Sequence, residues 1–158
     1  MKKQANGRNC FVCGVENPHG LHMIFYGVGP GEVEAKYVIP EHYQGYPGIA
    51  HGGVVAAMLD EVAGRAFTRE EFPRFMFTAR LSIRYRKPVP IGQPLLLKGH
   101  AREEKGRVSI AVGEIYDKNG NILAEAEVVL SEIPLDVLSN LVSDPRDWKV
   151  YPDEEGAI

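Results

Sequence analysis

The sequence has no apolar run near the length a bilayer span requires, which excludes a membrane-crossing helix as its organising element. It has two cysteines, Cys10 and Cys13, too few for a disulfide scaffold, and they read as reduced thiols. It has no surplus of positive charge. Its 18 Lys and Arg against 21 Asp and Glu leave a net charge of −3, which argues against nucleic acid or an anionic membrane as a general partner. The opening "MKKQANGRNC" carries two lysines with no apolar segment behind them, so it does not read as a secretory signal, and cytoplasm is the expected compartment. No internal repeat and no low-complexity linker is visible. What is there is a chain of 158 residues, 44% of them hydrophobic, which suits one soluble domain with a real core.

Punctuation by glycine and proline divides that chain. Residues 1–20, rich in Gly, Asn and Cys, read as an irregular arm. His22 to Val28 and Glu32 to Ile39 are two strand candidates joined by a turn at "GPG". After the loop "PEHYQGYPGIA", residues from His51 to about Thr68 read as the one long helix. Period-two alternation then takes over: Phe77, Ala79, Leu81, Ile83 and Tyr85 against Thr78, Arg80, Ser82, Arg84 and Arg86. Leu95 to Glu103, Arg107 to Tyr116 and a strand from Ile122 to Leu130 follow, the last two joined by an Asn119–Gly120 hairpin turn. "PLDVLSNLVSD" predicts a short helix, and "YPDEEGAI" a mobile tail. One long helix with about six mostly antiparallel strands predicts an α+β fold over residues 21–134, with an extension over 135–158.

The helix is unusual in what its second face lacks. At 100° per residue, Val54, Val55, Met58, Leu59, Val62, Ala63, Ala66 and Phe67 cover more than half the circumference. A surface helix would place Lys, Glu and Arg on the rest. Between His51 and Gly64 the only charges are Asp60 and Glu61, and the remaining arc holds Gly53, Ala56, Ala57, Asp60 and Gly64. A face of small residues admits close approach by a second subunit or a ligand. Asp60, in its middle, is then either a hydrogen-bonded tether or a catalytic carboxylate. Glu61 falls at the edge of the apolar face and reads as a solvated or paired charge. Gly52 and Gly53 open the helix, where amides lack intrahelical partners and the dipole is positive, so a ligand oxygen can approach both.

"HGGVVAAMLDEVAG" followed by "FTARLSIRYRKPVPIGQPL" resembles the hotdog-fold thioesterase superfamily, nearest its phenylacetate-pathway and thioesterase-superfamily-member branch. "NCFVCGVENPHGLHMIFY" resembles an opening found in bacterial members. The resemblance implies a long helix wrapped by a curved antiparallel sheet, pairing of two subunits (or two such pairs), and hydrolysis of an acyl-coenzyme A thioester without a cofactor. It implies Asp60 as catalytic carboxylate, which either activates water or attacks the thioester directly to form an anhydride, the Gly52 amide as oxyanion donor preceded by His51, and Thr78 as the hydroxyl that positions the nucleophile. Asp60 and Thr78 would face His51 and Gly52 of the other subunit. The position six before His51, polar in some relatives, is Gly45 here, with Gln44 beside it as a substitute. Gly53 is a further substrate contact. Arg80, Arg84, Arg86 and Lys87 are candidates for the coenzyme phosphates, against ordinary solvation of an exposed strand. Tyr43, Tyr46, Phe67, Phe72, Phe75 and Phe77 are candidates for an apolar acyl pocket.

Three alternatives stand beside this reading. His42 in "HYQGYPG" partly echoes the catalytic His loop of hotdog hydratases, with Asp60 or Glu61 as the acid. A non-catalytic acyl-coenzyme A sensor would bring a DNA-binding segment, and neither end carries a helix-turn-helix pattern. Finally, "CFVCG" with His19 and His22 has the ligand types of a zinc site, but the gap of five between Cys13 and His19 is far shorter than in zinc fingers. The expectation is a structural knuckle with no metal.

Overall fold

The computed structural model describes residues 1–68 and 74–152. Its strands are β1 (Lys2–Lys3), β2 (Asn6–Gly7), β3 (Tyr26–Gly29), β4 (Glu32–Val38), β5 (Met76–Tyr85), β6 (Pro94–Lys105), β7 (Val108–Tyr116), β8 (Ile122–Glu132) and β9 (Trp148–Lys149). The helices are α1 (Gly52–Gly64), continued by a 3-10 turn over Arg65–Phe67, and α2 (Leu135–Leu141). Seven strands form one antiparallel sheet in the order β1-β3-β4-β6-β7-β8-β5. Six were expected from alternation; the seventh, β1, comes from the arm, where two residues are too few to show a period. β2 and β9 make a separate two-stranded pair.

α1 lies across the inner face of the sheet. It buries Val55, Met58, Leu59, Val62 and Ala63, the i, i+3, i+4, i+7, i+8 stripe of a helix with one side on a core. Each of the larger four contributes roughly 1.5–3 kcal/mol by leaving water. Two glycines set how closely the helix can lie. Gly99 on β6 and Gly113 on β7 are cross-strand partners. A Cβ on Gly99 would stand 2.0 Å from the Val62 carbonyl oxygen, and one on Gly113 2.7 Å from that of Leu59. The helix backbone therefore rests against the backbone of two strands.

Two elements depart from simple alternation. The expected strand over His22 to Val28 begins only at Tyr26. Leu21, Met23 and Phe25 do point into the core, but His22 has φ of 54°. The arm takes the hydrogen bonds instead: Leu21 N–H donates to Phe11 O at 2.7 Å and Met23 N–H to Val12 O at 2.9 Å. The second departure is a register shift in β5 between Thr78 and Arg80 against β8. Before it Thr78 faces Leu130; after it Leu81, Ile83 and Tyr85 face Val128, Ala126 and Ala124. All four partners are buried on the helix side. The bulge at Ala79 therefore puts Thr78 on the helix-facing side with Leu81, where strict alternation had placed it with Arg80 and Arg84.

Candidate active site

The helix start is built as a cap. His51 is extended (φ −61°, ψ 135°), and its Nδ1 accepts the Gly53 N–H at 3.0 Å. That acceptor role puts the ring proton on Nε2. It also corrects one expectation, because the Gly53 amide is already occupied by His51. The Gly52 amide has no acceptor among the described residues, and Gly52 is exposed. One donor, not two, is left at the helix N-terminus for a ligand oxygen. Tyr85, legible in the sequence only as a strand residue, donates its hydroxyl to Gly52 O at 2.7 Å. It thereby ties the end of β5 to the first turn of α1. Only knowledge of the bulge reveals that it shares a face with Thr78.

Asp60 sits half-buried on the small-residue face, and Thr78 donates its hydroxyl to Asp60 Oδ1 at 2.6 Å. Burial pushes the Asp60 carboxyl above its ordinary 3.8, with Glu61 adding to the effect and the Thr78 hydrogen bond opposing it. A carboxylate raised this way is a better proton acceptor than a solvated one. Oδ2 has no hydrogen-bond partner among the described residues.

Asp60 and Gly52 are on one helix, eight residues apart, which at 1.5 Å per residue separates them by about 12 Å along the axis.

The other sequence candidates are distributed around this pair. Gln44, exposed in the loop before the helix, receives the Gly48 N–H on its Oε1 at 3.5 Å. Gly45 donates to Ile49 O, and its Cβ position is 3.2 Å from His51 Cα, so the loop is tight against the cap. Arg80 and Arg84 stand on the β5 face away from the helix, in register with Val129 and Glu125. Arg86 is bound to Glu125 at 2.7 Å and Arg80 to Glu127 at 3.7 Å, while Arg84 makes no ion pair among the described residues. Lys87 is exposed. The aromatic candidates do not converge. Phe67 is in the core, Phe75 packs edge-on against Trp148, Tyr46 and Phe77 are exposed, and Phe72 lies outside the described residues. Tyr43 anchors the arm through His19 O and Gly20 O, and His42 rests against its ring.

A second cluster lies on the other flank of α1. Glu61 Oε1 accepts from Arg65 Nε at 2.9 Å, and Arg65, only 3% exposed, is held further by Ala5 O at 2.8 Å and lies 4.2 Å from the Phe25 ring centroid. Glu61 is thus a paired charge, as its edge position predicted. Its other oxygen faces Cys10 Sγ at 3.9 Å. Hydrogen bonding from Cys13 lowers the Cys10 thiol to about 6, against burial and the nearby Glu61. The same sulfur contact pushes Cys13 upward. His19 and His22 are not in this cluster; His22 Nε2 turns to Asn17 O.

A family model described as Thioesterase superfamily matches residues 47–124, the helix and the strands that hold it. Acyl-coenzyme A thioesterase THEM4 of Rattus norvegicus is 29% identical over 86 residues, covering 54% of this chain and 36% of that protein. The chain spans 34–45% of the length of the curated relatives it matches. A crystal structure of a thioesterase superfamily protein superposes with a TM-score of 0.71 at 34% identity, covering 77% of this chain and 62% of that one. A hypothetical thioesterase of Streptococcus pneumoniae, solved with coenzyme A, shares the fold with a TM-score of 0.62 at 19% identity, covering 69% and 84%. Among the described residues no helix is long and apolar enough to cross a membrane.

Proposed function

We propose that this chain, matched over residues 47–124 by the Thioesterase superfamily model and 34% identical to a thioesterase superfamily protein, hydrolyses an acyl-coenzyme A thioester to the free acid and coenzyme A, at a site completed by a second copy of itself. The observation that carries the reading is the Asp60–Thr78 hydrogen bond of 2.6 Å on the small-residue face of a helix whose only charges between His51 and Gly64 are Asp60 and Glu61. The chemistry follows from the groups present. The Gly52 N–H of one copy polarises the thioester carbonyl and holds the oxygen as it gains charge. Asp60 of the other copy, with Oδ1 held by Thr78, takes a proton from water on Oδ2 as the water oxygen attacks the carbonyl carbon. The carbon–sulfur bond then breaks, and the departing coenzyme A thiolate takes up a proton. The separation of about 12 Å along the helix axis between Gly52 and Asp60 of one chain supports a second copy as the source of one of the two groups. The coenzyme phosphates lie toward Arg84 and Lys87 at the end of β5 in this reading, since Arg86 is engaged with Glu125.

Release of free thiol from a panel of short, long and aromatic acyl-coenzyme A esters tests the reaction. Asp60→Asn, which keeps the shape and removes the charge, is expected to lower turnover by about a hundredfold or more. It should leave binding of a non-hydrolysable acyl-coenzyme A analogue in place. A folded Asp60→Asn protein with most of its activity means that Asp60 is only a tether.

A further inference from the structure

The cluster on the other flank of α1 has no part in that chemistry. Two cysteines from the arm and one glutamate from the helix, 51 and 48 residues apart in sequence, bring their donor atoms within 4.8 Å of one another. Their surroundings are specific. The N–H groups of Val12 and Cys13 point at Cys10 Sγ at 3.4 and 3.5 Å, and the Gly7 N–H points at Cys13 Sγ at 3.3 Å. Backbone donors converging on sulfur favour thiolate over thiol. The turn that aims them requires glycine after Cys13: a Cβ on Gly14 would stand 2.3 Å from Cys10 O. The buried Asn6 side chain holds the Cys13 carbonyl at 2.9 Å, which fixes the turn from beneath.

Glu61 is oriented in the same way that metal-ligating carboxylates are. Arg65 takes one oxygen and is itself clamped by the arm, so the other oxygen is presented to the sulfurs. Cys10 Sγ, with two backbone donors on it, meets a second sulfur and a carboxylate, so three groups able to ligate a metal converge at one point. Arg65, the cation that pairs with Glu61, is held by Glu61 Oε1 and Ala5 O. Zinc bonds of about 2.3 Å to sulfur and 2.0–2.2 Å to oxygen put tetrahedral donors roughly 3.5–3.8 Å apart, so these groups need only a small closure to meet one ion.

We propose that Cys10, Cys13 and Glu61 form a binding site for a thiophilic divalent cation of the zinc class, with a fourth position open to water, that fastens the N-terminal arm to the helix. The site departs from the metal-free knuckle expected from sequence and from the His19 and His22 ligands considered there. Sulfur-rich donors select zinc or cobalt over magnesium or calcium.

The test uses the full chain, purified under reducing conditions without chelator, followed by elemental analysis and titration with Co2+ and then Zn2+. One equivalent of tightly held metal is expected, together with the near-ultraviolet sulfur-to-cobalt charge-transfer band. Cys10→Ser and Cys13→Ser should each abolish the band while circular dichroism stays native. Glu61→Gln should weaken zinc by more than the roughly 10–100-fold that loss of an outer partner costs. A combined His19→Ala, His22→Ala chain should bind as the parent does. A folded, reduced parent chain that takes up cobalt without the charge-transfer band, or takes up none, overturns the site. Loss of binding in the double histidine variant, or unchanged affinity in Glu61→Gln, overturns this ligand set. If Glu61→Gln does not fold, the cysteine variants still decide the sulfur ligation.

Discussion

A backbone amide is normally beyond the reach of mutagenesis, but the Gly52 amide is an exception. Gly52 is the first residue of α1, the position at which proline is most welcome in a helix. His51 before it has φ of −61° and ψ of 135°, the extended conformation that a residue preceding proline adopts. A Cβ at Gly52 would make only ordinary contact, 3.6 Å from the Tyr85 hydroxyl, and the amide has no acceptor among the described residues to lose. Gly52→Pro should therefore fold. At a compatible site the reduced freedom of the unfolded chain stabilises by about 0.4–1 kcal/mol. The same change deletes the single open donor at the helix start, and loss of one such donor costs about 10²–10³-fold in kcat, or about 2.7–4 kcal/mol. Thermal unfolding and thiol release on one preparation measure both effects. The expected result is an unchanged or raised Tm with a collapsed rate. Coexpression with Asp60→Asn then tests where the parts of the site come from. In a symmetric pair with random assortment, half the dimers are mixed and each carries one intact site of two, so about a quarter of parental activity should return. A Gly52→Pro enzyme with near-normal kcat refutes the oxyanion role. No recovery on coexpression refutes the shared site.

Three further changes follow from the geometry. The Asp60 carboxyl is raised above 3.8 in the folded state, so the native chain binds this proton more tightly than the unfolded one. The penalty then grows as pH rises from 3.8 through the raised value and persists above it. Asp60→Asn should accordingly match or exceed the parent in urea stability at neutral pH, with the difference vanishing below pH 3.8; a destabilised variant at neutral pH contradicts this. Thr78→Val keeps the β-branched shape but removes the hydrogen bond that lowers the Asp60 carboxyl, so the acid limb of the kcat/KM profile should move to higher pH, and an unmoved limb disconnects Thr78 from the base. Gly99→Ala drives a Cβ to within 2.0 Å of Val62 O, and overpacking of this kind costs about 1–3 kcal/mol or more. Chemical denaturation should show a loss at or above that range, whereas Gly92→Ala, which meets no atom within 4 Å but has φ of 68°, should show only the smaller cost of backbone strain.

What could be read from the sequence was what lies close together in it. The helix, its buried stripe and the lone carboxylate on its small face are all within Gly52–Gly64, and a wheel displays them without tertiary knowledge. The side of β5 on which Thr78 stands could not be read this way, because the bulge at Ala79 is a property of pairing with β8. The Gly53 amide was assigned to a ligand because the rotamer of His51 is invisible in a string of letters. The meeting of Cys10 with Glu61 depends on a path of the arm that no local period encodes. The glycines at 99 and 113 carried no signal at all, since an isolated glycine in a strand reads as a weakness until something is found pressed against it.

That pair of glycines bears on how this scaffold can change. Side chains define most helix–sheet distances, so a helix elsewhere drifts when a valine becomes a leucine. Here main chain lies on main chain at Val62–Gly99 and Leu59–Gly113, and Asp60 sits between those two contacts in sequence. The height of the carboxylate above the sheet is therefore a fixed datum, insulated from the identity of the residues that would shape an acyl cavity. Substitutions along β5, which carries the Thr78 partner of Asp60, and in the loop from Glu41 to Ala50, which packs on the His51 cap, can change the surroundings of the proposed site while that height stays fixed. A library confined to those two segments is the place to test whether the proposed thioester specificity can be changed.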